Sequence, residues 1–278
     1  MKQEFHINVV TDKTSVVNCL AEETNFSKQK IKQIMNKGAV WLENHQGVHR
    51  IRRANKQANK DAIIHCYYNE KLLEQIPPSP KLIADELDYS VWFKPSGILC
   101  QGSKWGDHCT INRWIEQNFH FSQNSQRNCF IVHRLDKATS GLMLVAHTKS
   151  KAAELASLFK KRWLEKYYHA VVSGRFTENE ILLDNPIDNK AAKTWARCIS
   201  FNEEKNQSLL DVKIDTGRKH QIRIHLSQYG YPIIGDRLYG KTTDDDILLR
   251  AYSLTLFFDE SKTQVKHYQL PEQQNLFI

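Results

Sequence analysis

Apolar and polar positions alternate along most of this chain in short runs, and those runs predict many strands and few helices. Cys129-Phe130-Ile131-Val132 and Leu142-Met143-Leu144-Val145 are continuously apolar, the pattern of strands covered on both faces. Further strands are predicted at 39–43, 61–67, 89–93, 168–172, 209–214 and 251–258, with Asn44-His45-Gln46-Gly47 and Lys94-Pro95-Ser96-Gly97 as turns. Three segments carry helical spacing instead. Ser27 caps the first, in which Ile31, Ile34 and Met35 share a face, Lys28, Lys30, Lys32 and Lys37 lie away from it, and Gly38 ends it. Thr148 caps the second, which runs through Trp163 with Ala152, Leu155, Ala156, Phe159 and Trp163 as its buried stripe. Lys160, Lys161 and Arg162 suit its C-terminal dipole. The third begins after Thr216-Gly217 and turns Ile222, Leu226 and Tyr229 inward. Strands outnumber helices, which predicts an α+β fold.

Pro77-Pro78-Ser79-Pro80 is a stiff segment through which neither a helix nor a central strand can run. It divides the chain into a small module at 1–76, a linker at 77–80 and a larger domain at 81–278. Of the 278 residues, 39 are Lys or Arg and 31 are Asp or Glu, a net charge of +8 that makes a polyanion the first partner to consider. The basic helix and the stretch from Arg50 to Lys60 place much of that charge in the small module. The bland alternative is a solvated basic face on an ordinary small domain.

The six cysteines show no paired spacing of the kind that builds zinc knuckles or redox dithiols, and read as free thiols in a reducing compartment. Cys129 and His133 lack a second pair, and the run Asp244-Asp245-Asp246 reads as a hydrated loop rather than a metal site. No apolar stretch approaches the roughly 20 residues that span a bilayer, and the opening residues lack a signal-peptide core. A cytoplasmic protein is expected.

The run His133-Arg134-Leu135-Asp136-Lys137-Ala138-Thr139-Ser140-Gly141 sets one carboxylate between two cations, in a connection between two buried strands. Loops held by rigid strands are where catalytic groups concentrate. This run resembles the signature of the RluA family of RNA pseudouridine synthases. The resemblance extends through Glu165-Lys166-Tyr167-Tyr168-His169-Ala170, then 216–226 (TGRKHQIRIHL), then 230–240 (GYPIIGDRLYG), in the family's order, and covers roughly 85 to 258. The family implies a bent, mostly antiparallel mixed sheet with flanking helices and the active cleft across its middle. It also implies isomerisation of uridine in structured RNA with no cofactor and no metal. Residues 1–76 resemble the small α/β RNA-binding module of ribosomal small-subunit protein four, with Lys60 where a glycine is usual. Such modules favour a ribosomal RNA target over tRNA, and a monomer is expected.

By this resemblance Asp136 is the catalytic carboxylate, whether it attacks the sugar, attacks the base or takes a proton from the sugar. Arg218 matches the arginine that pairs with it, the alternative being a phosphate-binding arginine at a helix start. Tyr168 matches the tyrosine that stacks on the target base, as a base or base relay. On chemistry alone Tyr167 is its equal, although strand alternation points the two rings to opposite faces. Arg134 is expected to enter the RNA stack and help hold the flipped nucleotide out, and His133 to orient the loop. Ile222 either lines the uracil pocket or makes a plain core contact. Lys137, Lys219, Arg223 and Arg237 are candidate phosphate contacts. Arg250 stands where histidine is common, and 190–193 (KAAK) departs from the usual form of its loop. Two competing readings are a non-catalytic RNA-binding or ribosome-assembly factor on the same scaffold and, more weakly, a base-releasing glycosylase.

Overall fold

The structure is a computed structural model that describes residues 1–122, 126–240, 246–272 and 276. It divides into two compact units. One comprises Met1–Pro77 with Gln101–Gln117, and the other Pro78–Cys100 with Asn118–Ile278.

In the first unit, β1 (Lys2–Asn8), β3 (Val40–Asn44), β4 (Gly47–Arg50) and β6 (Ile63–Asn69) form an antiparallel sheet in the order β1-β6-β3-β4. The short strands β2 (Thr14–Ser15) and β5 (Gln57–Ala58) pair separately. Helices α1 (Val16–Glu23) and α2 (Lys28–Asn36) supply Leu20, Ile31, Ile34 and Met35 to a core shared with Val40 and Ile64. The Ser27 side chain caps α2 by accepting from the Lys30 amide at 3.2 Å. A one-turn helix, α3 (Glu70–Leu73), follows β6.

Gln101–Gln117, expected in the second domain at 81–278, packs instead with the first unit. Asp107 explains the difference: it pairs with Arg50 at 2.5 Å and with Arg52, while Trp41 donates to the Lys104 carbonyl at 3.1 Å. Helix α4 (Ile111–Asn118) adds Ile111 and Ile115, both buried.

In the second unit, ten strands among the described residues form a mixed, mostly antiparallel sheet. They are β7 (Lys81–Asp85), β8 (Tyr89–Lys94), β9 (Phe130–Ile131), β10 (Ser140–Ala146), β11 (Leu164–Ser173), β12 (Ile181–Leu183), β13 (Thr194–Asn202), β14 (Gln207–Ile214), β15 (Leu249–Phe257) and β16 (Val265–Gln269). The main order is β12-β13-β14-β11-β15-β10-β8-β7, with β9 on β10 and β16 on β15. Only apolar or small residues occupy β10, and all seven are buried. Helix α5 (Lys149–Lys161), capped by Thr148, packs Leu155 and Leu158 against the core around Val91, Leu142 and Leu144. Ala156, predicted for that stripe, is exposed, because the helix is turned so that Leu158 takes the inward position. Helix α6 (Gln221–Gln228) buries Ile222 and Leu226, but Tyr229 lies past its end and is 37% exposed, with its hydroxyl on Glu178.

Candidate active site

Four main-chain anchors hold the loop between β9 and β10. At its start, His133 Nε2 accepts from the Leu144 amide at 2.9 Å, and its ring stacks on Phe159 at 4.8 Å. Burial, reinforced by the Lys166 charge, pushes this imidazole down to about 3, so it is neutral and serves as an acceptor. The Leu135 amide donates to the Cys100 sulfur at 3.3 Å, and the thiol donates back to the Leu135 carbonyl at 3.2 Å. The Lys137 carbonyl receives the Gly97 amide at 2.8 Å and Lys94 Nζ at 3.3 Å. Lys94 is wholly buried and also donates to the Pro95 and Ile98 carbonyls. Burial brings its ammonium down to about 8 against the opposing pull of Cys100 and Asp136. At the far end, Gly141 has φ +125°, and a Cβ there would lie 2.2 Å from the Ala251 carbonyl oxygen, so only glycine permits the approach of β10 to β15.

Asp136, between these anchors, faces a cleft of about 610 Å³ lined also by Tyr168, Ile222, His220, Arg223 and Lys166. That is within the range of sites that enclose a small ligand. Two nitrogen donors face the carboxylate, one at each oxygen: His220 Nε2 lies 3.7 Å from Oδ1 and Arg223 Nη1 lies 3.7 Å from Oδ2. Both come from the start of α6, where positions three apart share a face. Arg223 is itself fixed by Asp236, which accepts from Nε at 2.8 Å and Nη2 at 2.7 Å, with both side chains buried. Burial works against the guanidinium's charge, but the bonds and charge of Asp236, and then Asp136, hold it above its ordinary range. Burial also lowers His220, with Arg223 and Lys219 adding to the effect and Asp136 opposing it.

Tyr168 sits on β11 with its phenol raised above the ordinary range by burial and then by the Asp136 charge, so it enters the cleft as a neutral hydroxyl. Burial brings Lys166, two residues earlier on the same face, down to about 8. Tyr167 points to the other face, where the Lys213 ammonium lies 5.5 Å from its ring centre. Ile222 is buried and lines the cleft, so it makes a core contact and a pocket wall at once.

The structure corrects two assignments. Arg218 lines the cleft but turns its Nε to the Ala191 carbonyl at 3.0 Å, and it is Arg223 that meets Asp136. The reason is local. Arg218 precedes α6, in a turn whose geometry Gln221 fixes by accepting from the Arg218 amide and the Thr216 hydroxyl and donating to Lys193 and Thr194. Arg223, read as a phosphate contact, is buried with its fork filled by Asp236. Arg134 and Lys219 are exposed along the cleft, Lys137 is exposed next to Asp136 in sequence, and Arg237 is exposed in the turn after Asp236. Arg250 Nε donates to the Ser140 hydroxyl at 3.0 Å. Asp244 and Asp245 lie outside the described residues. His220, Asp236, Tyr239, Lys166 and Lys94 are site residues without an assigned role in the sequence pattern. The three-residue spacing of His220 and Arg223 at a helix start was the available signal for the first.

The fold is that of the pseudouridylate synthases. Human RNA pseudouridylate synthase domain containing 1 matches 71% of this chain and 86% of its own with a TM-score of 0.59 at 21% identity. Human RNA pseudouridylate synthase domain containing 4 matches with a TM-score of 0.55. The chain belongs to the RNA pseudouridylate synthase family, whose model matches residues 88–228, and with it to the enzymes that isomerise uridine in RNA. An uncharacterized RNA pseudouridine synthase of Aquifex aeolicus is 30% identical over 78% of this chain and 73% of its own length. The ribosomal large subunit pseudouridine synthase D of Buchnera aphidicola is 31% identical over 62% of this chain. The alignment spans 58% of that relative, and 47% of the protein of the same name from Nitrosomonas europaea. Among the described residues no helix is long and apolar enough to cross a membrane.

Proposed function

We propose that this cleft isomerises uridines of structured RNA with Asp136 as the essential carboxylate, and that the target is large-subunit ribosomal RNA. The supporting observation is the placement of Asp136 on a main-chain-anchored loop, with Arg223 on one oxygen and Tyr168 in the same cavity. The reaction breaks the bond from base nitrogen 1 to the ribose, turns the uracil, and joins the same sugar carbon to carbon 5. Carbon 5 then loses its proton and nitrogen 1 gains one, so no external reactant is consumed. Asp136 faces the sugar and stabilises the positive charge that grows there as the first bond breaks. Arg223 holds that carboxylate aimed. Tyr168 packs on the uracil ring as a neutral phenol, Ile222 closes the pocket beside it, and the exposed Arg134 fills the stack the uridine vacates.

The names of the Buchnera and Nitrosomonas relatives favour ribosomal RNA. So does the proposal that residues 1–76 form an RNA-binding module, with the lysines of α2 on its exposed side. Bulk RNA labelled with tritium at carbon 5 of uridine, taken from cells lacking the gene, is the substrate for the test. The wild-type protein is expected to release tritium and Asp136→Ala to release none. Mapping pseudouridines in ribosomal and transfer RNA from cells with and without the gene identifies the target. Unchanged RNA binding by Asp136→Ala, with no pseudouridine lost on deletion, would instead establish a non-catalytic scaffold.

A further inference from the structure

The turn 236–240 carries two side chains that each grip one of the groups facing Asp136. Asp236 holds Arg223 through Nε and Nη2, which leaves Nη1 as the part of the fork directed at Asp136. The Tyr239 hydroxyl lies 2.9 Å from His220 Nδ1. We assign the hydroxyl as donor, so that the neutral ring carries its proton on Nε2, towards Asp136. The turn is rigid. Asp236 Oδ1 accepts the amides of Leu238 at 3.0 Å and Tyr239 at 3.2 Å, the Gly240 amide returns to the Asp236 carbonyl at 2.9 Å, and the Ser227 hydroxyl donates to the Tyr239 carbonyl at 2.5 Å.

Both approaches to Asp136 stop at 3.7 Å. Charge-assisted N–H···O bonds close to about 2.7–2.9 Å when nothing restrains the partners. At 3.7 Å the two groups still act on the carboxylate electrostatically without occupying its lone pairs. We propose that Asp236 and Tyr239 are positioning residues that hold Arg223 and His220 back from Asp136, so that both carboxylate oxygens stay open to the ribose. This rests on the reading of Asp136 as the essential carboxylate. Loss of either restraint lets Arg223 or the His220 N–H close onto Asp136 and cap the oxygen the sugar needs. The ground state is then stabilised and the transition state is not, so kcat falls while RNA binding is retained.

Asp236→Asn keeps the oxygen that caps the Leu238 and Tyr239 amides and removes one acceptor from Arg223. Tyr239→Phe keeps the ring and frees His220. With the tritium-labelled bulk RNA, Asp236→Asn is expected to lower kcat about 10- to 100-fold, the scale set by roughly 1 Å misplacements in active sites, with apparent KM within about twofold of wild type. Tyr239→Phe is expected to lower kcat by about 3- to 10-fold. Positioning through a named partner also predicts non-additivity: Asp236→Asn costs less than about twofold more in an Arg223→Met background, and Tyr239→Phe less than about twofold more in His220→Gln. Wild-type kcat in both single variants, or losses undiminished in the paired backgrounds, overturns the inference. If Asp236→Asn does not fold, the Tyr239→Phe pair decides alone. Wild-type protein that releases no tritium sinks the underlying pseudouridine reading instead, and so is a distinguishable failure.

Discussion

Replacing Arg223 with methionine separates the two arginines that sequence and structure offer as the partner of Asp136. At 3.7 Å and an effective dielectric near 20, the guanidinium and the carboxylate attract by roughly 4 kcal/mol before desolvation. Asp136 keeps part of its side chain in solvent, so desolvation and screening leave about half of this, ~2 kcal/mol. Taken as the restraint that aims Asp136, this bounds the expected loss in kcat at roughly 30-fold, because about 1.4 kcal/mol is a factor of ten. The same substitution strands Asp236, a buried carboxylate that loses the Arg223 guanidinium, at a cost in stability of about 3–5 kcal/mol. The two effects are separable in Arg223→Met/Asp236→Asn, which removes the stranded charge while leaving the turn's capping oxygen. Stability by chemical denaturation is expected to recover in the double variant, whereas kcat by tritium release at saturating RNA stays low. Arg218→Met is expected to alter chiefly apparent KM, since its guanidinium is directed at a main-chain carbonyl. Wild-type kcat in Arg223→Met together with its loss in Arg218→Met would refute this pairing.

Three further outcomes follow from groups described above. His133 is held neutral, its folded value near 3 lying below the usual 6.5, so the stability it contributes is complete above about pH 6.5 and is lost as pH falls towards 3. Denaturation at a series of pH values should show the advantage of wild type over His133→Gln shrinking with acid, and a constant difference contradicts this. Gly141→Ala forces a methyl into the Ala251 main chain at a positive φ, and is expected to lower the melting temperature by more than 5 °C or abolish soluble expression; an unchanged melting curve refutes the close approach. Arg134→Ala and Lys219→Ala are expected to raise apparent KM severalfold and flatten its salt dependence with kcat little changed, a result that equal slopes for variant and wild type would exclude.

The strand and helix pattern was readable because its causes are local. Ser27 and Thr148 cap their helices through side chains three residues from the amides they bind. The apolar run at 142–145 becomes a central strand because nothing in it needs water. Asp136, Tyr168 and Ile222 were reachable through the resemblance and share one cleft. What escaped depends on partners far apart in sequence. Asp236 matters only because the chain returns it to Arg223, and Lys94 only because three carbonyls, the farthest at Lys137, converge on it. Arg218 and Arg223 are equally good arginines on paper, and the choice between them turns on where α6 begins. Gln101–Gln117 shows no compositional break, so its packing with the first unit follows from single pairs such as Asp107 with Arg50.

Main-chain groups secure the catalytic loop on either side of Asp136, while Arg134 and Lys137 project outward from it. On the proposed roles, chemistry and recognition fall to different side chains within four consecutive residues. Evolution, or an engineer, can exchange the outward pair to suit a differently shaped RNA without re-aiming the carboxylate, which makes this peptide a natural place to retarget the enzyme.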